Sequence, residues 1–381
     1  VISSGTVEYV LSGGSPAGTI IRNGGKEQVY SGGETSGATV SAGGFETVSA
    51  GGTAVAATVL SGGKEVVSSG GVASGTVLSN GGQEIVLGSG TASGTVVGSG
   101  GREIVSQGGV VSGTSVLSGG IEILSSGATA IGTMISNGGT VSVGGGAIAS
   151  GITVNSGATL SIGFGVSAVD ITINSGIVLT GLFTDVFIQP VINSGGTLNM
   201  SYGTVVSNAL INSGGIETVF GADYNATISG IQMLELGVSG NGNTISNGDS
   251  FNATVASGGA QIVSSGAIAT GTTIGSGGVE IVSSGGLASG TVVGSGGTLI
   301  VFQGGSANGT NVEGGSVVST GLVVVQSTGY ASAYGNTVSG PAVGSGAKAY
   351  ILGGSAAGVT ATAGATITIA SGATAIGTTL N

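Results

Sequence analysis

Seven glutamates stand nineteen residues apart: Glu8, Glu27, Glu46, Glu65, Glu84, Glu103 and Glu122. Glu217 and Glu280 hold the same place after their glycine pairs. Carboxylates repeated in one phase can bind cations, repel one another or meet a basic partner. The whole chain has 5 Lys and Arg against 16 Asp and Glu, so each charge carries weight. Lys26, Lys64 and Arg102 directly precede three members of the series. We therefore take Glu27, Glu46, Glu65, Glu84, Glu103 and Glu122, with Lys26, Lys64 and Arg102, as a candidate interaction stripe. Stacked repeats would set these carboxylates in a column on the outer face, about 4.8 Å apart, repelling by roughly 1 kcal/mol per pair in water. Low pH or divalent cations would relieve that repulsion and let such faces pack side by side. Val141, Leu160, Leu179 and Leu198 occupy the same phase further on, as a sticky patch or one covered by neighbouring chain.

Three of the four aspartates, Asp185, Asp223 and Asp249, cluster in one region with Phe183, Phe187, Tyr202, Phe220, Tyr224 and Phe251. They form a second candidate, an irregular site. Two opposed acids could serve inverting glycoside hydrolysis, but no Lys or Arg occurs between Arg102 and Lys348. The chain has no His and no Cys, which removes the Ser-His-Asp triad, the thiol nucleophile, the disulfide and the ordinary zinc site. The glycine-rich run Gly18 to Gly25 leads into Lys26-Glu27 rather than Lys-Ser or Lys-Thr, so it is no phosphate loop. We assign no catalytic, cofactor-binding or metal residue and expect no enzyme. Five cations at a net charge of −11 also argue against nucleic-acid binding.

The elements that hold these residues follow from the glycines, 85 of 381 residues. Gly-Gly pairs at 24-25, 43-44, 62-63, 81-82, 100-101, 119-120 and 138-139 recur every nineteen residues. Three apolar columns keep that phase. One runs Val29, Val48, Val67, Val86, Val105, Leu124; a second Ile21, Val40, Val59, Leu78, Val97, Val116; a third, small, Ala54, Ala73, Ala92, Val111, Ala130. Short β-branched runs between glycine corners read as strands, with no sustained helical period. The expected fold is all-β, a parallel β-helix of about 20 coils with one nineteen-residue unit per coil. One coil buries too little to offset its ordering entropy of about 1–2 kcal/mol per residue, so stability must come from stacking on neighbours. At about 4.8 Å per coil the rod would measure about 95 Å. We divide it into regular repeats over 1-176, an irregular segment with loops or a bend over 177-257, its aromatics capping a disturbed core, and repeats again over 258-381. A second drift in phase runs from about 314 to 345.

The unit Ser61-Gly62-Gly63-Lys64-Glu65-Val66-Val67-Ser68-Ser69-Gly70-Gly71-Val72-Ala73-Ser74-Gly75-Thr76-Val77 resembles the strand-loop-strand repeat of AIDA-type autotransporter passengers, the self-associating adhesins of Gram-negative bacteria. The resemblance is strongest over 5–175 and 255–312. It implies a right-handed β-helix displayed on the bacterial cell surface, exported through an outer-membrane barrel. It also implies self-association between like chains, biofilm formation, adhesion to host or bacterial cell surfaces, and a glycosyltransferase partner adding heptose to Ser or Thr. Val1 to Gly5 has neither the charged nor the apolar part of a signal peptide, so signal and barrel are expected outside this chain. Two other classes compete: a secreted fibre or matrix subunit stacking end to end, and a glycan-active β-helix enzyme.

Overall fold

The structure, a computed structural model, describes residues 1–238, 244–319, 322–325, 331–334, 337–339, 342–352, 355–369 and 372–381. Parts of the drift expected over 314–345 therefore lie outside the described residues. Every element described is a strand, and the strands stack as a β-solenoid of about eighteen turns with nineteen-residue spacing. The chain forms two compact units, Val1–Pro190 and Val191–Asn381.

In the first unit each coil has three strands, as in Lys64–Val67, Val72–Ser74 and Val77–Leu78. We call them long, middle and short. Each pairs in parallel with its copy nineteen residues away: Lys64 with Gln83, Val72 with Thr91, Val77 with Val96. Side chains alternate across a strand, and the burial pattern follows. Within this coil Glu65, Val67, Ala73, Thr76 and Leu78 are buried, while Val72 and Val77 are exposed. The three apolar columns are thus inward ladders, as expected. Phe187 enters the alanine column opposite Ala168 and is fully buried.

The glycine pair does two separate jobs. Gly62 turns the corner with φ of 72°, where a side chain would cost about 1–2 kcal/mol. Gly63 has an ordinary φ, but a Cβ there would lie 2.3 Å from the Val40 carbonyl oxygen of the coil below. One residue is glycine for its backbone angle, the other for the closeness of stacking.

The second unit varies the period. Ile216 pairs with Ile231, fifteen residues on, and Ile231 with Ala260, twenty-nine on. The longer coil carries an antiparallel pair, Leu236–Val238 with Thr244–Asn247. The aromatics expected to cap the interior divide: Phe187 is fully buried, Phe220 and Phe251 are half-buried and Phe183 is exposed. Tyr202 and Tyr224 are exposed, and Tyr224 stacks on Phe251 at 5.0 Å. Past Thr298–Val301 and Ser316–Val318, Lys348–Ile351 pairs antiparallel with Leu322–Val325 and parallel with Thr366–Ile369. This C-terminal segment has its own small core of Val324, Val343, Ala347, Ala349, Ile351, Ala356, Val359 and Ala361.

Thermal melting followed by circular dichroism distinguishes the two glycine roles. Gly63→Ala should destabilise by about 2 kcal/mol or more, because backbone must move. Gly62→Ala should cost about 1 kcal/mol. Equal losses at the two sites would overturn the distinction.

Candidate functional site

The nineteen-residue glutamate series lies inside the coil, not on its outer face. Glu27, Glu46, Glu65, Glu84, Glu103 and Glu122 are all fully buried, as are Glu217 and Glu280. Of the apolar members, Val141, Leu179 and Leu198 are buried too and Leu160 is half-buried, so they form no exposed sticky patch. The reason is parity. In Lys64–Val67 the burial alternates, with Glu65 and Val67 inward. Once the valine column is assigned to the core, the residue two before it must share its side of the sheet. The two-residue offset from glutamate to the valine column carries that parity through the series.

Each buried carboxyl stacks on its copy. Glu46 pairs in register with Glu27 and Glu65, and Glu84 with Glu65 and Glu103. In several repeats the threonine after the corner glycine supplies a donor. Thr76 Oγ1 donates to Glu65 Oε2 at 2.9 Å, and Thr95 to Glu84 at 2.9 Å. Thr133 reaches Glu122 at 3.4 Å, and Thr291 reaches Glu280 at 2.9 Å. Burial, and after it neighbouring acids, raises Glu46, Glu65, Glu84 and Glu103 well above the usual carboxylate range. Glu27 and Glu280 are pushed up to about 7 and Glu122 to about 8, burial being the main cause in each. The interior seam is therefore a ladder of neutral carboxylic acids under mildly acidic conditions, each able to donate as well as accept.

In the second unit the seam changes chemistry. Gln232 Nε2 donates to Glu217 Oε2 at 2.9 Å and to Asp223 Oδ2 at 2.6 Å. Gln261 Nε2 donates to Gln232 Oε1 at 2.8 Å and to Ser250 Oγ at 3.1 Å, and Thr272 Oγ1 donates to Gln261 Oε1 at 2.9 Å. The amides continue the column across the short and long coils.

Each of the three aspartates serves a different local structure. Asp185 is buried and accepts from the backbone N–H of Leu182 at 2.6 Å and of Val166 at 3.0 Å, closing a turn. Asp223 belongs to the interior seam, its carboxyl raised to about 7 chiefly by burial. Asp249 is half-buried, beside a shallow groove of about 170 Å³ with Tyr202, Thr204 and Val205. Asp249 pairs with Ala222, and Asp223 with Ser250. Alternation then puts Asp223 and Asp249 on opposite sides of one sheet, which no acid pair flanking a sugar can use. No metal-holding cluster of acids occurs among the described residues.

Lys26 and Arg102 are exposed and Lys64 half-buried, all at the outward first position of the long strand. Between them stand Phe45 and Gln83, with Ile121 beyond. The outward third position carries Val66, Ile85, Ile104 and Ile123 in register, all half-buried. With the acids inside, this outer face is apolar and weakly basic rather than acidic. Exposed serines such as Ser61, Ser69, Ser99 and Ser118 mark the corners.

A solenoid whose strands stack in register presents a repeating outer face. Residues 67–120 and 239–297 match AIDA, described as an adhesin of the bacterial autotransporter system, probable stalk. A TibA fragment, hyper-glycosylated by TibC, is 30% identical; the match covers 83% of this chain and 94% of that one, at a TM-score of 0.39. The Streptococcus pneumoniae surface protein and adhesin PfbA is 9% identical over 94% of this chain and 92% of that one, at a TM-score of 0.15. Comparison with curated proteins returns no match. The chain belongs to the AIDA-type autotransporter adhesin passengers.

The acid ladder predicts an inverted pH dependence. Glu27 and Glu280 ionise near 4.5 when unfolded and at about 7 when folded, Glu122 at about 8, and burial raises Glu46, Glu65, Glu84 and Glu103 in the same direction. The folded state then binds more protons, so stability is fully present below about pH 4.5 and is lost as pH rises through 7–8. Glu280 alone, moving from 4.5 to about 7, corresponds to about 3 kcal/mol. Melting temperature should rise as pH falls from 8.5 to 5. Replacing the six glutamates from Glu27 to Glu122 by Gln should flatten that profile. A melting point that falls on acidification would refute the protonated seam.

Proposed function

We propose that this adhesin passenger acts by self-association of like chains and by contact with host or bacterial surfaces, through the outer face of the long-strand sheet in the first unit. The observation that carries this reading is the in-register ladder Val66, Ile85, Ile104 and Ile123, half-buried and edged by Lys64, Gln83 and Arg102. Each contact is weak, but a rigid ladder presents many at fixed spacing, so that two copies meeting face to face gain avidity from repetition. The cations favour anionic cell-surface polymers. The absence of convergent acids among Asp185, Asp223 and Asp249 supports a structural rather than catalytic role. Aggregation of this kind underlies biofilm formation.

The exposed corner serines are the proposed acceptors for a glycosyltransferase, by likeness to the TibA fragment glycosylated by TibC. Glycans there would leave the buried threonines untouched.

Cells displaying the chain with Ile85→Lys and Ile104→Lys should settle several-fold more slowly than cells displaying the original, with little change in melting temperature. Both side chains point outward, so the coil interior is intact. Unchanged settling would sink the outer ladder as the adhesive face. Peptide mapping of chain coexpressed with a heptosyltransferase should place added mass on Ser61, Ser69, Ser99 or Ser118. Addition confined to other positions would overturn the corner assignment.

A further inference from the structure

Outward positions of the long strands are half-buried or exposed in most coils, but not in two coils of the second unit. Val279 is 1% exposed, Ile281 4%, Thr298 5% and Ile300 0%. Their cover is the strand Lys348–Ile351. Tyr350 and Leu352 pack on Val279, Ile281 and Ile300, and the Tyr350 ring lies 5.7 Å from that of Phe302. Ala349 and Ile351 turn the other way, into the segment's own core. By alternation Lys348 shares the face of Tyr350 and points toward the solenoid.

The cover stops short of the preceding coils. Where it ends, a cavity of about 280 Å³ opens, floored by Ala260, Ile262 and Ile281 and walled by Tyr350, with Lys348 also lining it. Gly214, Gly258 and Gly259 also belong to the lining. An aromatic wall over an aliphatic floor suits the C–H face of a pyranose ring. Without Cβ atoms these glycines let a sugar ring approach the backbone closely. Lys348 is the sole cation after Arg102 in the sequence, and it is half-buried in the lining of this cavity. In partly desolvated surroundings an ammonium selects a carboxylate. Burial also raises the Tyr350 phenol, keeping it a neutral donor. Ligand pockets run from about 300 to 1,000 Å³, so this one suits one sugar ring rather than an oligosaccharide.

We propose that this cavity is a binding site for a single acidic sugar residue, its carboxylate on Lys348 and its ring between Tyr350 and the Ile262 floor. The site does not depend on self-association: a chain that binds the sugar without aggregating keeps it, and a chain that aggregates without binding loses it. The test uses the full chain and four probes, glucuronic acid, N-acetylneuraminic acid, glucose and benzoate, with titration followed by NMR or calorimetry. At least one acidic sugar should bind about tenfold or more tightly than both glucose and benzoate. Lys348→Gln should weaken that binding about tenfold, and Ala260→Phe, filling the floor from the outward side, should abolish it while the melting curve stays in place. Equal binding of glucose and the acidic sugars, or no effect of Lys348→Gln, would overturn the carboxylate contact. Benzoate binding as tightly as the acidic sugars would overturn the sugar assignment. No binding of any probe up to about 10 mM would overturn the site.

Discussion

Parallel stacking in strict register is the constraint from which the rest of each unit follows. In the first unit every residue sits on its own copy one coil away, about 4.8 Å distant. Whatever chemistry is chosen at a position is therefore repeated against itself. For valine on valine this is packing without cost. For the second glycine of each pair it is exclusion, because the carbonyl of the coil below occupies the space of a side chain. For glutamate it is a conflict between like charges in a place without water, and protonation resolves it.

The seam at the glutamate position shows three solutions to one problem. Stacked acids hold protons, and Glu65, Glu84 and Glu280 each take a hydrogen bond from the threonine of a Gly-Thr-Val step. Gln232 and Gln261 use an amide, which donates and accepts without any proton to find. Leu198 and Leu299 dispense with polarity. The amides fall where the coil spacing departs from nineteen residues, and where Asp223 and Ser250 also turn inward and need donors or acceptors. A polar seam also helps to set register. A one-residue slip in a long strand would expose the valine column and bury Lys64. The formal net charge of −11 counts acids that burial keeps largely neutral at mildly acidic pH, so the surface is much less acidic than the composition suggests.

The period, the apolar columns, the corner glycines and the absence of helix were all legible, because a repeat writes each structural demand many times over. The side of the sheet taken by glutamate was legible as well. Glu65 stands two residues before Val67, and parity settles the matter once solvation is set aside as the guide. An irregular segment over 177-257 was legible, yet its division into a short coil and a long one with an antiparallel pair was not, since no glycine pair marks a coil between Gly214-Gly215 and Gly258-Gly259. The roles of Asp185 and Asp249 depend on which backbone groups and grooves the turns bring near, and no local pattern encodes that. Nor could sequence reveal the cover over Val279 and Ile281. Those residues match the outward positions of other coils in type, and only the return of residues 348–352 distinguishes them.

Inside and outside of the coil are thus under different rules. The inward rows of the first unit keep their places, with Glu giving way to Val141, Leu160 and Leu179, Thr to Ala or Ile in the flanking coils, and the aliphatic columns repeating throughout. The outward first position of the long strand reads Lys26, Phe45, Lys64, Gln83, Arg102, Ile121 and Thr140, with no rule beyond strand propensity. Because stacking is satisfied from within, the outer rows can change with little cost to the fold. A scaffold of this kind separates stability from recognition: binding character can be added residue by residue on a surface whose spacing the interior already guarantees. Recognition through repetition belongs to the regular outer ladders. Recognition of one particular ligand needs a concavity, and a convex or flat sheet face offers none until another part of the chain folds over it.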